Sequence, residues 1–219
     1  MRCPMPLDFS RAGVSRLLAK YGVRMAEESV AHSPGEAAGF AAKIGYPVVL
    51  KVVSDEIIHK TDRGCVKTNL VNERDLRTAY AQIVRNAAGA KVKGMLVQKM
   101  AKRGLELIVG GKKDEQFGQL ILFGLGGIFV EVLKDVSVRV CPVTLAEAHE
   151  MIGEIKGSPL LHGARGTIPV DTDKLAHLLV NVSRMLYENK GICELDLNPI
   201  IAYEDGYLAV DVRVIKCVT

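Results

Sequence analysis

Two stretches of this 219-residue chain hold residue types and spacings that could do chemistry. The first is Gly45 to Lys67. Pro47 to Val53 reads Pro-Val-Val-Leu-Lys-Val-Val, apolar and β-branched on both faces, as a strand covered on both sides does. Lys51 breaks that run. An ammonium buried among valines is costly unless an anion meets it. A polar loop with His59, Lys60 and Arg63 around Gly64 follows. Positive charge and loose backbone beside such a lysine suit a phosphate site. The plainer reading is a lysine that snorkels from an edge strand, and these residues alone do not separate the two.

The second stretch lies near the C-terminus, in Cys193-Glu194-Leu195-Asp196-Leu197-Asn198-Pro199. Strand alternation puts Glu194, Asp196 and Asn198 on one face. A two-residue turn at Asp205-Gly206 would set Asp211 opposite Ile200. Asp211 would then be a diagonal neighbour of Asn198, roughly 7–8 Å away. Oxygen donors grouped this way suit Mg²⁺, which takes a few carboxylates together with phosphate oxygens. They equally suit the solvated face of an outer hairpin, with Leu195, Leu197, Val210 and Val212 as its core side.

These residues need elements to hold them. Residues 10–21 are expected to be a helix with Val14, Leu17, Leu18 and Tyr21 on one face and Gly22 as its stop. Ser33, Pro34 and Glu36 open a second helix as a capping box, which Gly45 ends. After strand 47–53 and the polar loop, Val66 to Leu70 returns. Asn72 then caps a helix buried through Leu76, Tyr80, Ile83, Val84 and Ala87, and Met95 to Met100 is a strand. Leu105–Gly110 and Gln119–Phe123 should pair. Gly124-Leu125-Gly126-Gly127 interrupts them, as a bulge or a close backbone approach would. Strands at Ile128–Val132 and Val136–Val140 come next. Thr144 and Glu147 box a helix to about Ile155, and residues 157–169 form a loop. A long helix carries Leu175, Leu178, Leu179, Val182 and Leu186 inward. Gly191 stops it before the terminal hairpin, Ile192–Ala202 and Tyr207–Val214.

Composition narrows the classes. Hydrophobic residues make up 48% and charged residues 25%, which is ordinary for a globular protein. The net charge of +4, 5% aromatics and no Trp give no basic or stacking surface for nucleic acid. No apolar run approaches a membrane span of about 20 residues, and residues 1–6 lack the apolar core of a signal peptide. The expected setting is therefore cytoplasmic, with no nucleic acid or membrane partner. The five cysteines, Cys3, Cys65, Cys141, Cys193 and Cys217, read as reduced thiols. The five histidines show no ligand spacing, and no Ser or Cys sits in a nucleophile elbow.

Taken in order, these motifs resemble an ATP-grasp fold. More closely, they resemble the β subunit of the NDP-forming acyl-CoA synthetases, such as ADP-forming acetate–CoA ligase, relatives of succinyl-CoA synthetase. Gly-Tyr-Pro-Val-Val-Leu-Lys-Val-Val at 45–53 and Ile-His-Lys-Thr-Asp at 58–62 carry the likeness. So do Gly-Leu-Gly-Gly-Ile-Phe-Val-Glu at 124–131, Leu-Leu-His-Gly-Ala-Arg-Gly at 160–166 and the terminal hairpin. The likeness covers about residues 7–215.

The resemblance implies an α/β (α+β) fold of two subdomains clasping a nucleotide. The small one would span 22–98. The large one would span 99–219, with the N-terminal helix 1–21 packed on it. It implies that Lys51 binds phosphates, with Lys60 and Thr61 nearby, and that His59 relays a phosphoryl group. Gln98, Lys99 and Met100 would line the adenine, Glu106 would meet the sugar, and Asn198 and Asp211 would hold Mg²⁺. Where the family loop usually has two glycines, this chain has Gly64-Cys65. The implied cofactors are Mg²⁺ and ATP/ADP. The implied activity is ligation of an acid to CoA together with a CoA-binding α subunit in a hetero-oligomer, since this chain shows no CoA site. The alternatives are an ATP-grasp carboxylate–amine ligase, which needs no loop histidine, and a regulatory subunit that binds nucleotide without turnover.

Overall fold

The structure, a computed structural model, describes residues 7–54, 56–57, 60–127 and 134–217. It contains two compact units. Ala26–Ala101 is the small unit, and the other described residues form the large one. Both limits lie a few residues beyond the expected 22 and 98, because backbone bonds decide them. The Arg24 carbonyl accepts from Ala209 N–H at 2.9 Å, which ties that segment to the large unit. Lys99 N–H donates to Glu27 O at 2.8 Å and Met100 N–H to Pro47 O at 3.1 Å, which keeps both residues in the small one.

The large unit opens with α1 (Arg11–Lys20), capped by the Ser10 hydroxyl, which accepts from Gly13 N–H at 3.1 Å. The chain then builds the small unit: β1 (Glu28–Ala31), α2 (Pro34–Ile44), β2 (Val48–Val53), β3 (Val66–Leu70), α3 (Glu73–Asn86) and β4 (Gly94–Lys99). Ser33 caps α2, but the Glu36 carboxylate reaches His32 N–H at 2.8 Å, one residue before the cap. The four strands are antiparallel in the order β1-β4-β2-β3. Ala37, Ala41, Leu76, Ala79 and Ile83 of the helices pack with Val48, Leu50, Val52, Met95 and Val97 of the sheet.

Two expectations change here. Val84 is 50% exposed, because the buried stripe of α3 runs Leu76, Ala79, Ile83 and leaves Val84 on its flank. Lys51 is half-buried rather than enclosed. Alternation sends Val48, Leu50 and Val52 to the helix-covered face, and Lys51 to the other.

The large unit continues with β5 (Leu105–Asp114), β6 (Gly118–Leu125), β7 (Val136–Val140), α4 (Leu145–Glu154), α5 (Ser158–Leu161), α6 (Thr172–Glu188), β8 (Ile192–Tyr203), β9 (Gly206–Ala209) and β10 (Val212–Lys216). The expected loop at 157–169 thus contains α5 and a 3₁₀ turn, Ala164–Gly166. The expected strand Ile128–Val132 lies outside the described residues. The sheet runs β10-β8-β5-β6-β7, with β9 beside β8. Helices α1, α4 and α6 cover one face, burying Val14, Leu18, Met151, Leu179 and Leu186 against Leu107, Val109, Ile121 and Phe123. Each such side chain contributes roughly 1.5–3 kcal/mol. Gly111 lets α6 come this close, since a Cβ there would lie 2.5 Å from Leu186 Cδ1. Among the described residues no helix is long and apolar enough to cross a membrane.

The terminal hairpin turns earlier than expected. Tyr203 pairs with Gly206, so Glu204 and Asp205 are the turn and Ile200 faces Ala209, not Asp211. The ladder then breaks and resumes with Val212 opposite Leu197. Asp211 lies directly across from Asn198, whose N–H donates to Asp211 O at 3.3 Å. The cysteines also depart from expectation. Cys193 and Cys217 form a disulfide, their Cα atoms 4.8 Å apart, because pairing of β8 with β10 brings together residues 24 apart in sequence. Cys65 and Cys141 are free and buried.

Candidate functional site

In the small unit, the sheet face away from α2 and α3 carries Lys51 on β2 opposite Leu96 on β4, and Val49 opposite Gln98. Gln98 is fully buried and its side-chain amide donates to the Glu28 carboxylate at 2.7 Å. Lys51 and Gln98 therefore share a face. Alternation sends Lys99 the other way, and its ammonium donates to Gly45 O at 2.8 Å and Tyr46 O at 3.0 Å. These carbonyls end α2, so the lysine caps that helix and meets the negative end of its dipole. Met100 follows, half-buried.

The polar loop is closed by Cys65 N–H on Lys60 O at 2.8 Å and Gly64 N–H on Thr61 O at 2.9 Å. Gly64 has φ +63°, and a Cβ there would lie 2.7 Å from the Asn86 amide, which itself donates to Gly64 O. Cys65 points into the core of the unit and is fully buried, so its side chain leaves the loop's outer surface clear. Lys60 is half-buried and Thr61 exposed. His59 lies outside the described residues.

In the large unit, Glu106 is exposed on β5. Its carbonyl accepts from Gly126 N–H at 2.7 Å, and a Cβ on Gly126 would lie 3.1 Å from that backbone. The close approach weighed for Gly124–Gly127 is thus present. Asn198 is exposed and Asp211 half-buried, with Asp211 Oδ1 accepting from Val212 N–H at 3.0 Å. Asp196 stands on the same strand face as Asn198. Its Oδ1 is buried without a hydrogen-bond partner. Burial raises its pKa, Arg213 opposes that, and the nearby Asp211 and Glu194 add to the rise.

An orphaned carboxylate oxygen beside a second carboxylate and an amide fits a divalent cation with hard oxygen ligands. Among the described residues no three His, Cys, Asp or Glu side chains group closely enough to hold a metal by themselves. A cation here would therefore rest on a few protein oxygens and complete its shell from water or phosphate, as Mg²⁺ does. The alternation at 194–198 already put Asp196 on this face. Its missing partner follows only from the packing.

The arrangement invites comparison with known proteins. A family model described as an ATP-grasp domain matches residues 9–215. The chain is 48% identical over 203 residues to the ADP-forming acetate–CoA ligase I subunit beta of Pyrococcus furiosus, covering 91% of this chain and 88% of that one. It is 48% identical over 203 residues to the ADP-forming acetate–CoA ligase I of Archaeoglobus fulgidus, covering 91% of this chain but 30% of that longer protein. Among solved structures it resembles the acetyl-coenzyme A synthetase 1 of Ca. Korarchaeum cryptofilum. That structure is in complex with coenzyme A and Mg-AMPPCP, its phosphohistidine segment pointing towards the nucleotide binding site. The TM-score is 0.85 at 42% identity, covering 94% of this chain and 91% of that one.

Proposed function

The chain belongs to the ATP-grasp domain family, among relatives of the β subunit of ADP-forming acetate–CoA ligase, and on that premise we propose that it is the nucleotide-binding half of such a ligase. One observation carries the reading: 91% of the chain matches a β subunit that is itself covered to 88%. The partner is a CoA-binding α subunit. The overall reaction interconverts acyl-CoA, ADP and phosphate with acid, CoA and ATP.

The residues divide the work. Lys51, Lys60 and Thr61 hold the phosphates. Gln98 and the backbone of Lys99 and Met100 line the adenine, while the Lys99 ammonium stays on Gly45 and Tyr46. Glu106 meets the sugar. Asn198 and Asp211, with the unpartnered oxygen of Asp196, hold Mg²⁺. When bound, that ion supplies positive charge against the phosphate oxygens. Lys51 adds a second positive charge from a half-buried position, where water screens it less than on an open surface.

His59 carries the transfer. A neutral imidazole nitrogen attacks phosphorus, the N–P bond forms as the donor's bond to phosphorus breaks, and ADP later takes the group in the same manner. Two short displacements replace one long one, which suits a reaction whose acyl and nucleotide sites lie on different chains. The test is His59→Asn in the presence of the α subunit. ADP binding should persist while acyl-CoA turnover falls by at least a hundredfold. A phosphoryl label from the phosphorylated partner should map to His59 in the parent after an alkaline quench. A fully active His59→Asn enzyme would remove the relay.

A further inference from the structure

Strand β10 is held from one side. Among the described residues it is an edge strand paired only with β8; Val212 and Val214 pack against the core, yet none of its five residues is fully buried. Its ladder shifts register between Ile215 and Lys216. Just past that irregularity Cys217 N–H donates to Gly191 O at 2.9 Å, and the Cys217 sulfur is bonded to Cys193 of β8. At the strand's other end stands Asp211, facing Asn198. The covalent link thus sits where the ladder shifts register, on the strand that follows a proposed metal ligand. Both cysteines are half-exposed, within reach of solvent reductants and oxidants.

We propose that Cys193 and Cys217 form a reversible thiol–disulfide site that secures β10 and, through it, the position of Asp211. The oxidant is a low-molecular-weight disulfide. One cysteine thiolate attacks it, forming a mixed disulfide and releasing one small thiol. The second cysteine thiolate then attacks the protein sulfur of that mixed disulfide and releases the other small thiol. The protein gives up two electrons and two protons in all, and the small disulfide is reduced to two thiols. No other described cysteine competes. Cys65 is fully buried, and burial pushes the Cys141 thiol up to about 12, leaving almost none as reactive thiolate. An edge strand with no fully buried residue is the kind of element that opens locally while the rest of its sheet stays closed.

The test compares the chain equilibrated with glutathione disulfide and with dithiothreitol. After unfolding, three thiols should alkylate in the first and five in the second, since the pair removes two of five cysteines. Amide exchange over residues 212–217 should be at least tenfold faster in the reduced chain, with β2 and β4 unchanged. Cys217→Ser should behave as the reduced form in both buffers. Affinity for Mg·ADP should fall several-fold on reduction, a readout that rests on the proposed function, as the exchange readout does not. Five thiols in both preparations, or equal exchange, overturns the site. Faster exchange with unchanged Mg·ADP affinity overturns the link to Asp211. Faster exchange in a chain that binds no Mg·ADP in either state supports the staple and refutes the nucleotide reading instead.

Discussion

Replacing Lys99 with Met keeps the aliphatic stem and removes the ammonium, so it separates two roles of one side chain. In the structure that ammonium makes two charge-assisted hydrogen bonds, at 2.8 Å to Gly45 O and 3.0 Å to Tyr46 O. A bond of this kind contributes about 1.5–3 kcal/mol when water cannot replace it. Here Lys99, Gly45 and Tyr46 are all half-buried, so water recovers part of the loss. The expected cost for the pair is therefore about 1–2 kcal/mol, a factor of roughly 5–30 in the folding equilibrium. With a urea slope of about 2 kcal/mol/M, the midpoint should drop by about 0.5–1 M. Circular dichroism reads it, since the chain has no Trp. Calorimetry with ADP should show affinity within twofold of the parent, because the proposed site uses only the backbone of Lys99 against the adenine. An unchanged midpoint together with a tenfold or greater loss of ADP affinity would refute the reasoning.

Other outcomes follow from the same geometry. Lys51→Ala should weaken ADP about 10–100-fold by calorimetry and leave the circular dichroism spectrum unchanged, since the side chain is half-exposed and its removal opens no core cavity; undiminished affinity would reject Lys51 as a phosphate ligand. Asn198→Ala and Asp211→Ala should leave metal-free ADP binding measurable but flatten its rise with added Mg²⁺, and a parental Mg²⁺ curve in both would dismiss the metal assignment. Asp196 has its pKa raised, chiefly by burial, so its contribution to stability is greatest below the unfolded value and is lost as pH rises through the folded one. Asp196→Asn, always neutral, should match the parent near pH 3 and exceed its stability increasingly above about pH 4, as read by urea midpoints across pH; a constant gap would show that its charge is not penalised.

Much of the scaffold was legible in local signals. Ser33, Asn72 and Thr144 each cap the helix they announce, and Gly22 and Gly45 end theirs with positive φ. These signals depend on backbone groups a few residues away, which the sequence keeps adjacent. What escaped depends on packing. The burial of Lys51 stays open in the sequence because alternation tells which residues share a face, not whether anything covers it. The hairpin register slipped by two because Asp205-Gly206 is a strong turn pair, yet Glu204-Asp205 makes the turn and Gly206 begins β9. That slip changed the relation of Asn198 to Asp211 from diagonal to direct. The disulfide joins residues 24 apart that only the β8–β10 ladder aligns. Asp196 was placed on the correct face, but an oxygen without a partner is a property of its surroundings.

The large unit is assembled from two separated parts of the chain, with the small unit made between them. On the ribosome this sets an order. β1 and β4 close the small unit with residues 28 to 98, so it can complete before any strand of the large sheet exists. The apolar face of α1, Val14, Leu18 and Tyr21, has no partner to cover it in that interval. The Tyr21 hydroxyl must wait for Glu188, 167 residues later, before it can donate to that carboxylate. At synthesis rates of about 5–20 residues per second, that delay is roughly 10–30 s. For that time α1 is a sticky amphipathic segment on a nascent chain, a natural foothold for a holdase chaperone and an early cleavage point for a protease.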